Sequence, residues 1–148
     1  MAIPKVSENF RTFGIVFIYT SMIHLHSFNK SEHLCGETRI ARLFTQGEAF
    51  IAYPLRVVYR IEPKKEVATA SIMVSVPKKR FKRAVKRNLL KRRMREAYRL
   101  NKTALTEVLN STELQIHIAF NYVSDEVMDF EQIEKKMKVA LQRLIEKL

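Results

Sequence analysis

Between Pro77 and Lys102 the chain reads PKKRFKRAVKRNLLKRRMREAYRLNK, with 13 Lys and Arg residues against one carboxylate, Glu96. The segment carries +12, and so does the whole 148-residue chain, from 27 basic and 15 acidic side chains. Everything outside this stretch is electrically balanced. A field so concentrated repels itself unless a polyanion neutralises it. A solvated surface helix is the plain alternative, but such helices mix charge signs and this one barely does.

The order of residues within the segment adds geometry. Pro77 and the basic run behind it suit a turn or extended lead-in. From Ala84 to Arg99 the residues are strong helix formers without Gly or Pro. On a 3.6-residue period Arg87, Lys91, Arg95 and Arg99 sweep round one flank. Leu90, Met94 and Ala97 lie on another, with Val85 and Leu89 extending it. A helix of this kind docks by its apolar side and presents cations to phosphate. Arginine forks and lysine point charges together suit an irregular backbone, and Asn88 adds a group able to bond phosphate, ribose or base. The cations cover too much of the helix for a narrow major-groove reading face, which favours folded RNA over DNA.

The rest of the chain fits one domain of ordinary size. An apolar content of 47% argues against global disorder. Cys35 is the only cysteine, which rules out an intrachain disulfide and a cysteine-based zinc knuckle. Three glycines leave no glycine-rich nucleotide fingerprint. Residues 1–27 read as an N-terminal extension. Their apolar run Phe13 to Leu25 is too short to span a membrane and lacks a signal-peptide cleavage site, and His24 and His26 have no further ligand nearby.

The organised domain is expected over residues 28–148. Thr38 is read as the cap of a short helix with Ile40, Leu43 and Phe44 inward and Gly47 as its stop. Leu55 to Ile61 alternates as a strand, with Leu55, Val57, Tyr59 and Ile61 on one face and Arg56, Val58 and Arg60 on the other. Ala68 to Val76 is the next strand, and the short connection suggests that the two pair as a hairpin. After the basic helix, a further turn is expected around Leu105 to Leu109, then a strand over Gln115 to Phe120 that exposes His117 on a sheet face. Asp129, with Gln132 three residues on, caps a last helix whose buried side is Phe130, Ile133, Met137, Leu141, Leu144 and Leu148. The fold class that accommodates this order is a small single-domain α/β sandwich, helices packed on one face of a mixed sheet. The basic helix rides on a βαβ crossover, which the general rule makes right-handed.

The stretch VSVPKKRFKRAVKRNLLKRRMREAYR resembles the signature of the bacterial ribonuclease P protein subunit. Ser75, Lys78 and Lys79, the pair Ala84 and Val85, Arg87 and Asn88, Lys91 and Arg92, and Arg95 with Glu96 fall on that pattern. Leu89 departs from it, standing where the family has Arg. Upstream, EHL and RIARLFTQGEAFIAYPLRVVY are similar to the family's first helix, glycine turn and first strand, so that the resemblance covers residues 28–148. The resemblance implies a left-handed crossover, against the general rule. It implies two partners, the catalytic RNA and precursor tRNA, with no DNA, no membrane and no obligate protein partner, and a cytoplasmic setting. The holoenzyme removes the 5′ leader, and Mg²⁺ bound mainly by the RNA does the hydrolysis.

Carried onto this sequence, the family assigns RNA-subunit binding to Lys78, Lys79, Lys82, Arg83, Arg87, Asn88, Lys91, Arg92 and Arg95. Leader binding falls to Arg56, Arg60 and Phe44, although periodicity alone makes Phe44 core rather than platform. No catalytic residue is expected. No Asp, Glu and His cluster shares an element as a two-metal site would require, Asp125 and Asp129 read as loop and cap, and protein-side metal ligands are unassigned. A non-catalytic structural RNA-binding protein of ribosomal or assembly type would use the same helix and is the alternative.

Overall fold

The computed structural model describes residues 28–66 and 68–148; the expectations for residues 1–27 lie outside them. A short 3₁₀ turn, Lys30–Glu32, leads to α1 (Glu37–Gln46). Two strands follow, β1 (Glu48–Ala52) and β2 (Leu55–Pro63), and then β3 (Ala70–Ser75). The basic helix α2 (Ala84–Asn101) runs into α3 (Thr103–Thr112), and β4 (Leu114–Tyr122) and α4 (Phe130–Lys147) complete the chain.

The sheet order is β1-β2-β4-β3, with β4 antiparallel to β2 and parallel to β3. The hairpin expected from β2 and β3 is therefore replaced. β2 forms its hairpin with β1 through Tyr53 and Pro54, and β4 is inserted between β2 and β3. Alternation specifies faces but not neighbours, and β4 offers β2 nine paired residues from Leu55↔Tyr122 to Pro63↔Leu114. The connection after β2 passes over the start of β4. Gln115 Oε1 accepts from the N–H groups of Lys65 and Glu66 at 2.9 and 3.1 Å, and Lys64 N–H donates to Glu113 O at 3.1 Å. These bonds satisfy backbone donors that a buried crossing would otherwise strand.

One sheet face carries the main core. Val57, Tyr59, Ile72, Ile116, Ile118 and Phe120 meet Leu90, Met94, Ala97 and Tyr98 of α2, Leu105 and Leu109 of α3, and Ile133, Met137 and Leu144 of α4. Each such side chain, fully buried, contributes about 1.5–3 kcal/mol. The capping box of α4 forms as its sequence predicts: Gln132 N–H donates to Asp129 Oδ1 at 2.9 Å, and Asp129 N–H donates to Gln132 Oε1 at 3.3 Å. Val85 is 80% exposed and does not extend the apolar flank, because α2 docks through Leu90, Met94, Ala97 and Tyr98 and turns Val85 away.

The opposite face bears α1. Leu43 and Ile40 pack on Val58, Ala119, Met73 and Leu34 as a second, smaller cluster. The N-cap of α1 is Gly36, at φ 96°, a left-handed conformation that favours glycine; Thr38, the expected cap, sits inside the first turn. Gly47 ends the helix where a Cβ would stand 2.3 Å from Leu43 O and 2.8 Å from Tyr59 O, so α1 is seated hard on β2.

Candidate nucleic-acid interface

The lead-in to α2 folds on itself before the helix begins. The N–H groups of Arg80 and Phe81 both donate to Pro77 O, and Phe81 is buried beside Tyr122 with ring centroids 5.9 Å apart. Arg87 then clamps the loop to the helix, its Nη1 donating to Phe81 O at 2.7 Å and Lys82 O at 2.8 Å. Other cations of the segment are also engaged by the protein. Arg80 pairs with Asp125 at 2.7 Å, Arg93 donates to Met128 O, Arg99 forks onto Glu96, and the buried Lys102 meets Glu32 at 2.5 Å. The hydrogen bond from Arg99 holds the Glu96 carboxyl below its ordinary pKa, so the segment's one carboxylate is neutralised locally.

Lys78, Lys79, Lys82, Arg83, Lys86, Lys91, Arg92 and Arg95 have no hydrogen-bond or ion-pair partner among the described residues, and neither has Asn88. All but the half-buried Lys91 are exposed. The sequence-based set thus divides. Lys78, Lys79, Lys82, Arg83, Asn88, Lys91, Arg92 and Arg95 are presented outward, while Arg87 faces its own loop. Lys86 belongs with the exposed cations and was not in the set, although its charge and position were legible. Leu89, at the usual Arg position, is half-buried on the edge of this surface.

A second cationic surface lies on the sheet face bearing α1. Arg56 is exposed and pairs across the strands with Asn121; Arg60, four residues along, pairs with His117. A recess of about 100 Å³ between α1 and the sheet is lined by Arg39, Arg42, Arg60, Lys65, Glu62 and His117, among others. Phe44 is 44% exposed, which corrects its reading as core: α1 buries only a narrow stripe through Leu43, and Phe44 is displaced to its side. Phe44 does not line the recess with Arg60.

His117 is also corrected. It is 7% exposed rather than open on the sheet face, because α1 and the connection after β2 overlie it. Its Nε2 lies 2.8 Å from Glu62 Oε1, which also accepts from Gln115 Nε2 at 3.1 Å. Burial holds the His117 pKa below its ordinary value, and the neighbouring Glu62 only partly opposes this. Burial alone would raise Glu62, but hydrogen bonds from Gln115 and His117 leave it below the usual carboxylate range.

Among the described residues no three His, Cys, Asp or Glu side chains converge as a metal site, and no helix is long and apolar enough to cross a membrane. A small α/β domain with a cationic helix edge unpaired among the described residues, and a second cationic surface on the far side of its sheet, defines an RNA-binding domain. Known proteins agree. The family model for ribonuclease P matches residues 28–145. The ribonuclease P protein component of Porphyromonas gingivalis strain W83 is 51% identical over 116 residues, covering 78% of this chain and 85% of its own. That of Chlorobaculum tepidum is 33% identical over 119 residues, covering 74% and 77%. The solved ribonuclease P protein of Thermotoga maritima shares the fold, with a TM-score of 0.59 at 24% identity over 76% of this chain and 96% of its own. A Staphylococcus aureus structure gives 0.56 at 20% identity, over 78% and 96%.

The chain belongs to the bacterial ribonuclease P protein family. It is the protein subunit of that ribonucleoprotein, binding catalytic RNA and precursor tRNA for removal of the 5′ leader, with the chemistry carried by the RNA.

Proposed function

We propose that the two cationic surfaces divide the RNA between them. The unpaired edge of α2 with its lead-in (Lys78, Lys79, Lys82, Arg83, Asn88, Lys91, Arg92 and Arg95) holds the catalytic RNA. The face beside α1, with Arg56, Arg60 and Phe44, receives the single-stranded leader. The observation that carries this division is the sorting of the basic segment, in which some cations build the fold and the remainder have no partner among the described residues. Unpaired cations crowded on one helix repel one another and gain most when phosphates intervene. Arg87 belongs to the construction of that surface rather than to its contacts.

The leader and the catalytic RNA are both polyanions, and a protein cationic on both sides offsets their mutual repulsion. Phe44 offers an exposed ring on which an unpaired base stacks, and Arg56 and Arg60 lie along a strand as phosphate partners. Mg²⁺ held by the RNA subunit supplies activation of the attacking water when bound; this chain binds and orients. The test is the double variant Arg56→Ala with Arg60→Ala, titrated as holoenzyme with precursor and mature tRNA. Affinity for precursor tRNA should fall while that for mature tRNA holds. Equal losses for both would remove the leader assignment.

A further inference from the structure

Phe28 precedes the 3₁₀ turn and is far in sequence from the basic helix, yet its ring reaches α2. It packs edge-on against Tyr98 at 5.9 Å, tilts against His33 at 4.3 Å, and has Lys102 Nζ 5.8 Å from its centroid. The segment that carries it is fastened at two further points. Glu32 bonds the buried Lys102, and Leu34 N–H donates to Ile72 O at 2.8 Å on the edge of β3. Phe28 is therefore an aromatic ring held in a fixed position against α2.

What it lines is an open recess of about 370 Å³ whose other walls are Asn88, Arg92, Arg95, Glu96 and Arg99. Asn88, Arg92 and Arg95 have no hydrogen-bond or ion-pair partner among the described residues. The one carboxylate there is held by Arg99. A phosphate needs only the guanidinium groups. An aromatic ring beside them, with an amide that both donates and accepts, is the composition of a site for a nucleobase. The ring and guanidinium planes take the π-face, and Asn88 takes an edge.

Resting on the assignment of α2 to the catalytic RNA, we propose that this recess takes one unstacked nucleobase of the RNA subunit, stacked on Phe28 and bonded at its edge by Asn88. The contact adds base capture to an interface otherwise built on phosphate. Its occupant comes from the RNA subunit rather than the leader, because the recess is walled by the basic helix and shares no lining residue with the recess beside Arg60.

The experiment is titration of the full chain with the catalytic RNA at several salt concentrations, for wild type, Phe28→Leu, Phe28→Trp, Asn88→Ala and Arg95→Ala. Phe28→Leu keeps an apolar anchor and removes the ring. It should weaken binding roughly 5- to 150-fold, the range found when an aromatic side chain under one base is removed, with the salt slope unchanged, and Phe28→Trp should restore binding. Asn88→Ala lies on the exposed face of α2, leaves folding intact and should also weaken binding without changing the slope. Arg95→Ala should flatten the slope, by about 0.7–0.9 for one phosphate. If Arg95→Ala behaves so while Phe28→Leu and Asn88→Ala bind as wild type, the base site is wrong and the phosphate interface stands. If none of the three changes binding, both fall. A loss seen only when the assembled holoenzyme binds precursor tRNA would overturn the RNA subunit as the source of the base.

Discussion

Removing the Arg87 side chain separates two roles that a basic residue on α2 can play. In this structure its Nη1 bonds two carbonyls of the lead-in, at 2.7 and 2.8 Å, and so fixes where Lys78, Lys79 and Lys82 stand relative to the helix. Hydrogen bonds to charged groups contribute about 1.5–3 kcal/mol each. One nitrogen makes both bonds and the side chain is only half-buried, so the pair together is worth about 1.5–3 kcal/mol rather than twice that. Arg87→Ala should therefore lower Tm by about 3–12 °C, at roughly 2–4 °C per kcal/mol for a chain near this size. It should weaken RNA binding by loosening the loop, while the salt slope stays close to wild type because no phosphate contact is removed. Arg95→Ala is the counterpart, with stability within about 0.5 kcal/mol of wild type and a flatter slope. Urea and thermal unfolding, with titrations from 50 to 200 mM salt, measure both. Wild-type stability in Arg87→Ala together with a slope flattened by about 0.7–0.9 would refute the reasoning and make Arg87 a direct phosphate contact.

Gly47→Ala should destabilise by about 1–3 kcal/mol or more, since the added methyl meets two backbone oxygens; unfolding at wild-type denaturant concentration would show that α1 is less firmly seated than its contacts indicate. His117 is held below its ordinary pKa, so on acidification the unfolded chain takes that proton first. Its contribution is complete above about pH 6.5 and is lost as pH falls below that value. Glu62, also held low, adds a second loss below about pH 4.3. Urea midpoints between pH 7.5 and 5 should fall more steeply for wild type than for His117→Gln, and parallel curves would count against the buried reading of His117.

Much of this molecule is legible in its residues, and the failures share a cause. The charge of residues 77–102, the capping box at Asp129 and the inward faces of β2 and β4 follow from local spacing, and each is found in the fold. Strand order does not follow from spacing. β2 and β3 look like a hairpin until β4, some 50 residues on, inserts between them. β1 was missed because it is a five-residue edge strand with only Ala52 fully buried. Phe44 is one step away from Leu43, through which α1 docks, so helical period alone could not exclude it; Val85 is roughly 140° round α2 from Leu90, and a stricter use of the same period places it off the docking stripe. His117 sits on the non-core side of β4, as alternation requires; its burial depends on α1 crossing that face, a tertiary fact. At the site, charge counting found the cations but not which of them face inward, because Arg87 and Arg93 bond backbone carbonyls that no sequence pattern announces.

The most direct test of the account is reconstitution of leader cleavage from a precursor tRNA with the cognate catalytic RNA at low Mg²⁺, with and without this protein. The protein should restore cleavage at the 5′ end of the mature tRNA, and the protein without the RNA should cleave nothing. A variant with Lys78, Lys79, Lys82, Arg92 and Arg95 all changed to Ala should fold and fail to restore it. Cleavage by the protein alone would contradict the account, as would full restoration by the variant lacking those five cations.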